Sequence, residues 1–176
     1  MTDISKNLLF SQSLWGEVDL ERREICADFM QELPVRVGAL ARALGLNVLS
    51  STLDLGISGE IRPSEEADAG FVIRINRHEI KHRQRFTLAH EIAHFLLHSD
   101  RIENGIIDNV MYRSKLPSRL ETEANKLAAD IIMPRPIIRQ WLQNHFPVGY
   151  SSNDLGVISK AWRVSEEAAS IRLGLS

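Results

Sequence analysis

The segment RFTLAHEIAHFLLH, residues 85–98, constrains the fold of this chain more than any other stretch. Most of its side chains are apolar, which predicts a helix at the centre of the protein rather than on its surface. The same helix carries His90 and His94, and their spacing places both imidazoles on one face, where they can bind one metal ion. The alternative interpretation is a pair of buried histidines on an ordinary amphipathic helix.

Glu91 favours the metal site, because an unpaired carboxylate in so apolar a helix is costly without a role. It lies one position round the helix from His90, beside the expected metal rather than on it. From there a carboxylate can act as a general base toward a water molecule that the metal activates. This HExxH spacing indicates hydrolysis, with Zn²⁺ as the expected ion, Mn²⁺ and Fe²⁺ as alternatives, and no other cofactor.

A catalytic site of this kind needs a third protein ligand and keeps its fourth position for water. One known arrangement places a glycine turn and then a histidine after the second ligand, but those positions hold Leu97 and Asp100 here. His98 lies about 12 Å along the helix axis from His90, which is too far for both to bind one ion. We therefore expect His98 to support a ligand or to end the helix.

The better candidate for the third ligand lies in RLETEANKLAADIIMP, residues 119–134. Glu121 and Asn125 are four residues apart on one face of this predicted helix. Glu121 can coordinate the metal while Asn125 hydrogen-bonds a ligating imidazole and fixes its tautomer. A solvated surface charge is the alternative for Glu121. Glu123 projects about 200° away from it and is expected to be a solvated surface charge.

These two segments together resemble the ImmA/IrrE family of zinc-dependent metallopeptidase-like proteins. The resemblance covers roughly residues 34–135, and five segments agree with the family in order and spacing. They are PVRVGALARALGLNV, ISGEIR, GFVIRIN, RQRFTLAHEIAHFLLH and LETEANKLAADIIMP.

The resemblance implies a role for each residue of the motif. His90 and His94 correspond to the family's histidine ligands, Glu91 to its catalytic acid and Glu121 to its third ligand. The ExxxN of Glu121 and Asn125 is also similar to the ExxxD of gluzincin peptidases. Family members cleave helix-turn-helix repressors, which implies a protein partner of that class. Larger members carry a sensor domain at the C-terminus, and this chain is expected to be too short for one.

The order of the elements predicts an α+β fold in which a small twisted β-sheet packs on the central HExxH helix and the helices around it. This is the plan of a minimal zincin-like metallopeptidase. We expect that domain in residues 1–135 and a helical C-terminal segment, packed on it, in residues 136–176. Helices are predicted within 18–33 and 35–48, where Gly45 is the expected C-terminal cap.

Two strands, ISGEIR (57–62) and GFVIRIN (70–76), are predicted before the HExxH helix. GFVIRIN is the natural candidate for an edge strand that pairs with the substrate backbone, and the alternative is a central strand. An oxyanion or substrate contact is expected from Tyr112, Arg113 or His98, with His145 and Tyr150 as further candidates.

Composition limits the remaining classes of function. The net charge of −2 does not favour nucleic acid, and the helix-turn-helix-like residues 154–175 carry balanced charges, so no direct nucleic-acid binding is expected. A single cysteine, Cys26, is typical of a reducing cytosol. No secretion signal or membrane span is predicted, so we expect a cytoplasmic protein.

The sequence thus predicts a metal-dependent endopeptidase that makes a limited cut in a partner, a DNA-binding repressor. The alternative is a non-proteolytic, antitoxin-like module that keeps the metal for structure and acts by binding its partner.

Overall fold

The computed structural model describes residues 9–10, 13–103 and 119–175. Within these ranges the chain is α+β, as predicted, with a three-stranded sheet flanked by helices. Short 3-10 helices cover Ser13–Glu17 and Ser152–Asp154. The strands are β1 (Asn47–Ser51), β2 (Gly59–Pro63) and β3 (Phe71–Asn76), and the helices are α1 (Leu20–Phe29), α2 (Val37–Ala43), α3 (Lys81–Glu103), α4 (Arg119–Ile132), α5 (Arg135–His145), α6 (Leu155–Trp162) and α7 (Glu166–Leu173).

The local signals that begin and end the helices act as the sequence predicts. Ser165 caps α7, because its hydroxyl accepts a hydrogen bond from the backbone N–H of Ala168 at 3.1 Å. α4 ends at Ile132, just before Met133 and Pro134. Gly45 follows α2 with a φ of 76°, a left-handed conformation that favours glycine. A Cβ at Gly45 would lie 3.0 Å from the backbone nitrogen of Ala69, so this turn also needs the missing side chain.

The sheet has the order β1-β3-β2, and this corrects the expectation that GFVIRIN is an edge strand. β1 pairs with β3 in parallel, while β2 pairs with it antiparallel from the other side. The extended residues after α2 therefore supply a second partner that the hairpin-like pattern of β2 and β3 did not reveal. The apolar residues Phe71, Ile73 and Ile75 alternate along GFVIRIN, a pattern that favours one buried face, and all three are buried.

Helix α3 lies at the centre of the fold, as its apolar composition predicts. It packs against β2, β3, α2 and α4. Contact with β2 is close, because a Cβ at Gly59 would lie 2.5 Å from the Cγ2 atom of Thr87. The backbone leaves helical geometry at His98, where φ is −134° and ψ is 20°.

The C-terminal helices contact the rest of the protein through buried side chains. Arg172 of α7 forms an ion pair with Asp130 of α4 at 2.7 Å and donates a hydrogen bond to the carbonyl of Met133. The rings of Trp141 and Trp162 meet edge to face, with centroids 5.6 Å apart. A helical C-terminal segment is thus present, while the domain boundary at residue 135 stays a prediction.

Cys26 is buried in α1, and its thiol is free. Burial, with the charge of Asp19 adding to it, raises the pKa of this thiol to about 12. The group is therefore protonated at neutral pH and belongs to the hydrophobic core.

Among the described residues, no helix combines the length and the apolar character that crossing a bilayer requires.

We expect Arg172→Ala to lower the free energy of unfolding by about 3 kcal/mol, because it removes the cation from a buried ion pair. The side chains of Arg172 and Asp130 are only 8% and 6% exposed. Urea denaturation followed by circular dichroism measures the change. Arg139→Ala, an exposed arginine on α5, is the matched control and should shift stability by less than about 0.5 kcal/mol. Equal effects of the two substitutions would contradict this account of how α7 is attached.

Candidate metal centre

The two imidazoles of the HExxH motif converge on one point. His90 and His94 stand one turn apart on α3, and their Nε2 atoms lie 3.0 Å from each other. The His90 side chain is 14% exposed and that of His94 is fully buried. The pair therefore opens toward solvent on the His90 side.

Glu121 reaches the same point from the neighbouring helix α4. Its Oε2 lies 3.3 Å from the Nε2 of His90, and its Oε1 lies 3.2 Å from the Nε2 of His94. The close approach of the helices depends on Ala124 and Ala128, which are completely buried. The ligand atoms of the three residues all lie within 4.8 Å of one another.

Asn125 holds the outer nitrogen of His90. Its Oδ1 lies 3.0 Å from the Nδ1 of His90, one helical turn after Glu121. Because a carbonyl oxygen only accepts, Nδ1 is the protonated nitrogen of this ring. The lone pair of His90 is thereby left on Nε2, which faces Glu121.

A second set of hydrogen bonds holds His94. The Nδ1 of His94 lies 3.2 Å from the Nδ1 of His98, and the Nε2 of His98 lies 3.1 Å from Oε2 of Glu123. Arg119 donates to the other carboxylate oxygen of Glu123 at 2.6 Å. The expectation that Glu123 is a solvated surface charge is therefore wrong, since its side chain is 14% exposed and joins His98 to Arg119.

The direction of this chain of hydrogen bonds follows from its last acceptor. An ionised Glu123 only accepts, so the Nε2 of His98 donates to it and the Nδ1 of His98 carries a lone pair. The Nδ1–H of His94 then donates to that lone pair. Nε2 of His94 keeps its own lone pair for the centre, as does Nε2 of His90.

The pKa values follow from the crowding of these groups. Burial disfavours the imidazolium of His90, but the hydrogen bond to Glu121 and the charge of Glu91 outweigh it and raise the pKa of His90. Burial lowers the pKa of His94, and the charges of His90 and His98 add to this effect. An imidazolium proton on Nε2 of His90 or His94 would donate to Glu121, and this hydrogen bonding holds the pKa of Glu121 far below its usual range. Glu121 is therefore an anion at any physiological pH.

Glu91 is buried beside this group, with 3% of its surface exposed. It follows His90 in α3, and its charge contributes to the raised pKa of His90. The carboxylate is thus near His90, and its role as a general base stays a prediction.

The remaining residues that were expected to contact the oxyanion or the substrate lie in several different places. Tyr112 and Arg113 lie outside the described residues. His98 is 5% exposed and contacts His94 and Glu123, so it holds His94 rather than facing the open side of the centre. His145 stacks on Trp141 with ring centroids 4.1 Å apart, in α5. Tyr150 is 37% exposed and lines a separate groove with residues of α5 and α7.

The donor set fits a divalent metal ion. Two imidazole nitrogens and one carboxylate point at a common position. Two nitrogens and a carboxylate are the ligands of catalytic zinc sites, which leave one position open.

Comparison with known proteins gives a consistent result. The family model Peptidase_M78, the IrrE N-terminal-like domain, matches residues 41–174. The match thus extends beyond the motif segments and includes the C-terminal helices.

Two relatives share the name radiation response metalloprotease IrrE. The protein from Deinococcus radiodurans is 38% identical over 98 residues, which are 56% of this chain and 29% of the relative. The protein from Deinococcus deserti is 33% identical over 131 residues, which are 72% of this chain and 46% of the relative. The chain thus spans less than half the length of these curated relatives.

A solved structure of a Mycobacterium tuberculosis transcriptional regulator shares the fold. Its TM-score is 0.51 at 14% sequence identity, and the similarity covers 96% of this chain and 50% of the other. At this identity the similarity concerns the fold alone.

We expect Glu123→Ala to weaken zinc binding by about 10–100-fold, because His98 loses the acceptor that fixes its tautomer and, through it, that of His94. Competition with a chromophoric chelator measures the affinity. Glu123→Gln should lose less, since its amide oxygen can still accept from His98.

Glu24→Ala is the control, because it removes an exposed carboxylate from α1. The role of Glu123 is refuted if Glu123→Ala and Glu24→Ala bind zinc with equal affinity.

Proposed function

Because the chain belongs to the IrrE N-terminal-like domain family, Peptidase_M78, we propose that it is a metal-dependent endopeptidase domain that makes a limited cut in a partner protein. One observation carries the proposal. His90, His94 and Glu121, from two different helices, present their ligand atoms to a single point.

His90, His94 and Glu121 would hold the ion, and zinc is the ion that this donor set favours. When bound, the ion supplies Lewis acidity toward a peptide carbonyl and lowers the pKa of water at the site. Asn125 and the chain of His98, Glu123 and Arg119 keep the two imidazoles in the tautomer that leaves Nε2 free.

Glu91 is the proposed general base. It is buried, with 3% of its surface exposed, and directly follows His90 in α3. It accepts the proton from the attacking water and delivers it to the leaving amine, so the proton is returned within one cycle.

The proposed partner is a DNA-binding repressor of the helix-turn-helix class, and the ImmA/IrrE resemblance supports this choice. Since β3 is central, an extended substrate cannot add to it. β2 pairs with β3 on one side only and packs on α3, so we assign it the role of the strand to which the substrate backbone adds.

Glu91→Gln tests the proposal. The substitution keeps the shape of the side chain but removes its basicity, so cleavage should fall by about 10²–10⁴-fold while bound zinc stays near one ion per chain. The measurements are elemental analysis and electrophoresis after incubation with a purified repressor encoded beside this gene.

Glu121→Ala is the contrasting variant, because it should lose both zinc and cleavage. Unchanged cleavage by Glu91→Gln would overturn the assigned base. If the wild type and Glu91→Gln both neutralise the repressor without cutting it, the antitoxin-like alternative is correct.

A further inference from the structure

An apolar groove borders the metal centre between α3, α4 and α7. Its volume is about 590 Å³, which is within the range of clefts that bind ligands. Asn125 lines this groove, and its side chain also accepts the hydrogen bond from Nδ1 of His90 at 3.0 Å. The groove therefore begins beside the imidazole of a metal ligand.

The walls of the groove continue the two helix faces that carry the metal ligands. Phe86 lies four residues before His90 on α3, and Ala129 lies four residues after Asn125 on α4. Residues four apart on an α-helix project to the same side and are about 6 Å apart along the axis. Phe86 and Ala129 both line the groove. The metal-binding faces of α3 and α4 thus extend directly into it.

Large apolar side chains are exposed at the groove. Ile80 and Ile171 line it and are 60% and 64% exposed. Ile132 and Met133 also line it and are buried. A concave surface with buried apolar walls and exposed apolar residues is typical of a site that binds an apolar group.

The charged side chains around the groove do not favour an anionic ligand. Arg83 and Arg172 line it, and each forms an ion pair with an acidic residue of this chain, at 2.9 and 2.7 Å. The groove is also lined by Arg135 and by Glu167, whose charges are opposite. The main contribution that the groove can make to binding is therefore the burial of apolar surface.

We propose that this groove receives a large apolar side chain next to the cut bond of the protein substrate, and that Phe86 and Ala129 set this preference. The proposal rests on the endopeptidase function proposed above and names a property of its substrate.

The distances agree with this assignment. The peptide carbonyl that reacts must lie at the metal ligands, and an extended chain advances about 3.3 Å per residue. Side chains one or two residues from the cut bond are therefore about 3–7 Å from it along the chain. This is the distance at which Phe86 follows His90 along the axis of α3, about 6 Å.

Hydroxamates that chelate zinc test the proposal, because the chelating group holds each probe at the metal. N-acetylamino acid hydroxamates extend to the N-terminal side of the cut bond, and succinyl hydroxamate methylamides extend to its C-terminal side. Each series carries hydrogen, isobutyl, phenylpropyl or carbamoylmethyl as the side chain. Carbamoylmethyl has the shape of isobutyl but is polar.

Isothermal titration calorimetry of the zinc-loaded wild-type chain measures the affinities. In at least one series we expect isobutyl or phenylpropyl to bind at least about tenfold more tightly than hydrogen and carbamoylmethyl, because only an apolar side chain gains from burial.

Ala129→Phe should remove this advantage, since the larger side chain fills the groove, while the hydrogen compound should bind as before. Lys126→Phe is the matched control, because it adds the same ring at an exposed position of α4 that does not line the groove.

A second pair of variants avoids any change in the core. Ile171→Asp should weaken binding of the phenylpropyl compound by about fivefold, because it replaces an apolar contact with a charge. Val157→Asp should not change it, since Val157 is 63% exposed on α6 and does not line the groove.

The proposal is overturned if the apolar compounds bind no more tightly than carbamoylmethyl in both series, or if Ala129→Phe and Ile171→Asp bind the probes as their controls do. Zinc binding without a preference among the probes would contradict this proposal alone. A chain that binds no zinc would contradict the endopeptidase function and this proposal with it. An apolar preference without cleavage of the repressor would contradict the endopeptidase function alone.

Discussion

The contact between α3 and α4 at Glu121 is the constraint on which the rest of the structure depends. It brings an anionic carboxylate within 3.3 Å of two imidazole nitrogens whose lone pairs face each other at 3.0 Å. A divalent cation at this point would stabilise the arrangement, because two imidazole nitrogens and a carboxylate are suitable ligands for it. The small side chains Ala124 and Ala128 allow the helices to approach this closely, so core packing and metal chemistry depend on the same interface.

Hydrogen bonds on the outer side of the imidazole rings of His90 and His94 fix their orientation. Each imidazole has its outer nitrogen in a hydrogen bond, to Asn125 or to His98, and this fixes which nitrogen remains free. The kink of α3 at His98 accompanies the bond from His98 to Glu123. Both supporting residues on α4, Asn125 and Glu123, are close in sequence to Glu121. A single helix therefore carries Glu121 together with the residues that hold His90 and, through His98, His94.

Much of the site could be predicted from periodicity, because His90, His94, Glu121 and Asn125 lie on two helices with a four-residue spacing that geometry fixes. Glu123 could not, because its projection relative to Glu121 does not reveal that it reaches His98. A residue on the other side of α4 still reaches α3 when His98 lies one turn beyond the ligands. Helix periodicity predicts the direction in which a side chain projects from its own helix axis. It does not predict which residues of two packed helices lie opposite each other.

The sheet shows the same limit. The alternation in GFVIRIN predicted its buried face correctly, yet the number of its partners depends on β1, which lies more than twenty residues earlier in the chain. Pairing between distant strands is a tertiary property, so a single strand's pattern contains no signal for it.

An anomalous difference map from crystals of the zinc-loaded protein tests the central claim most directly. The account predicts one peak within about 2.0–2.2 Å of the Nε2 atoms of His90 and His94 and of a carboxylate oxygen of Glu121, with one position left open. A peak coordinated without Glu121, or no peak between α3 and α4, would contradict it.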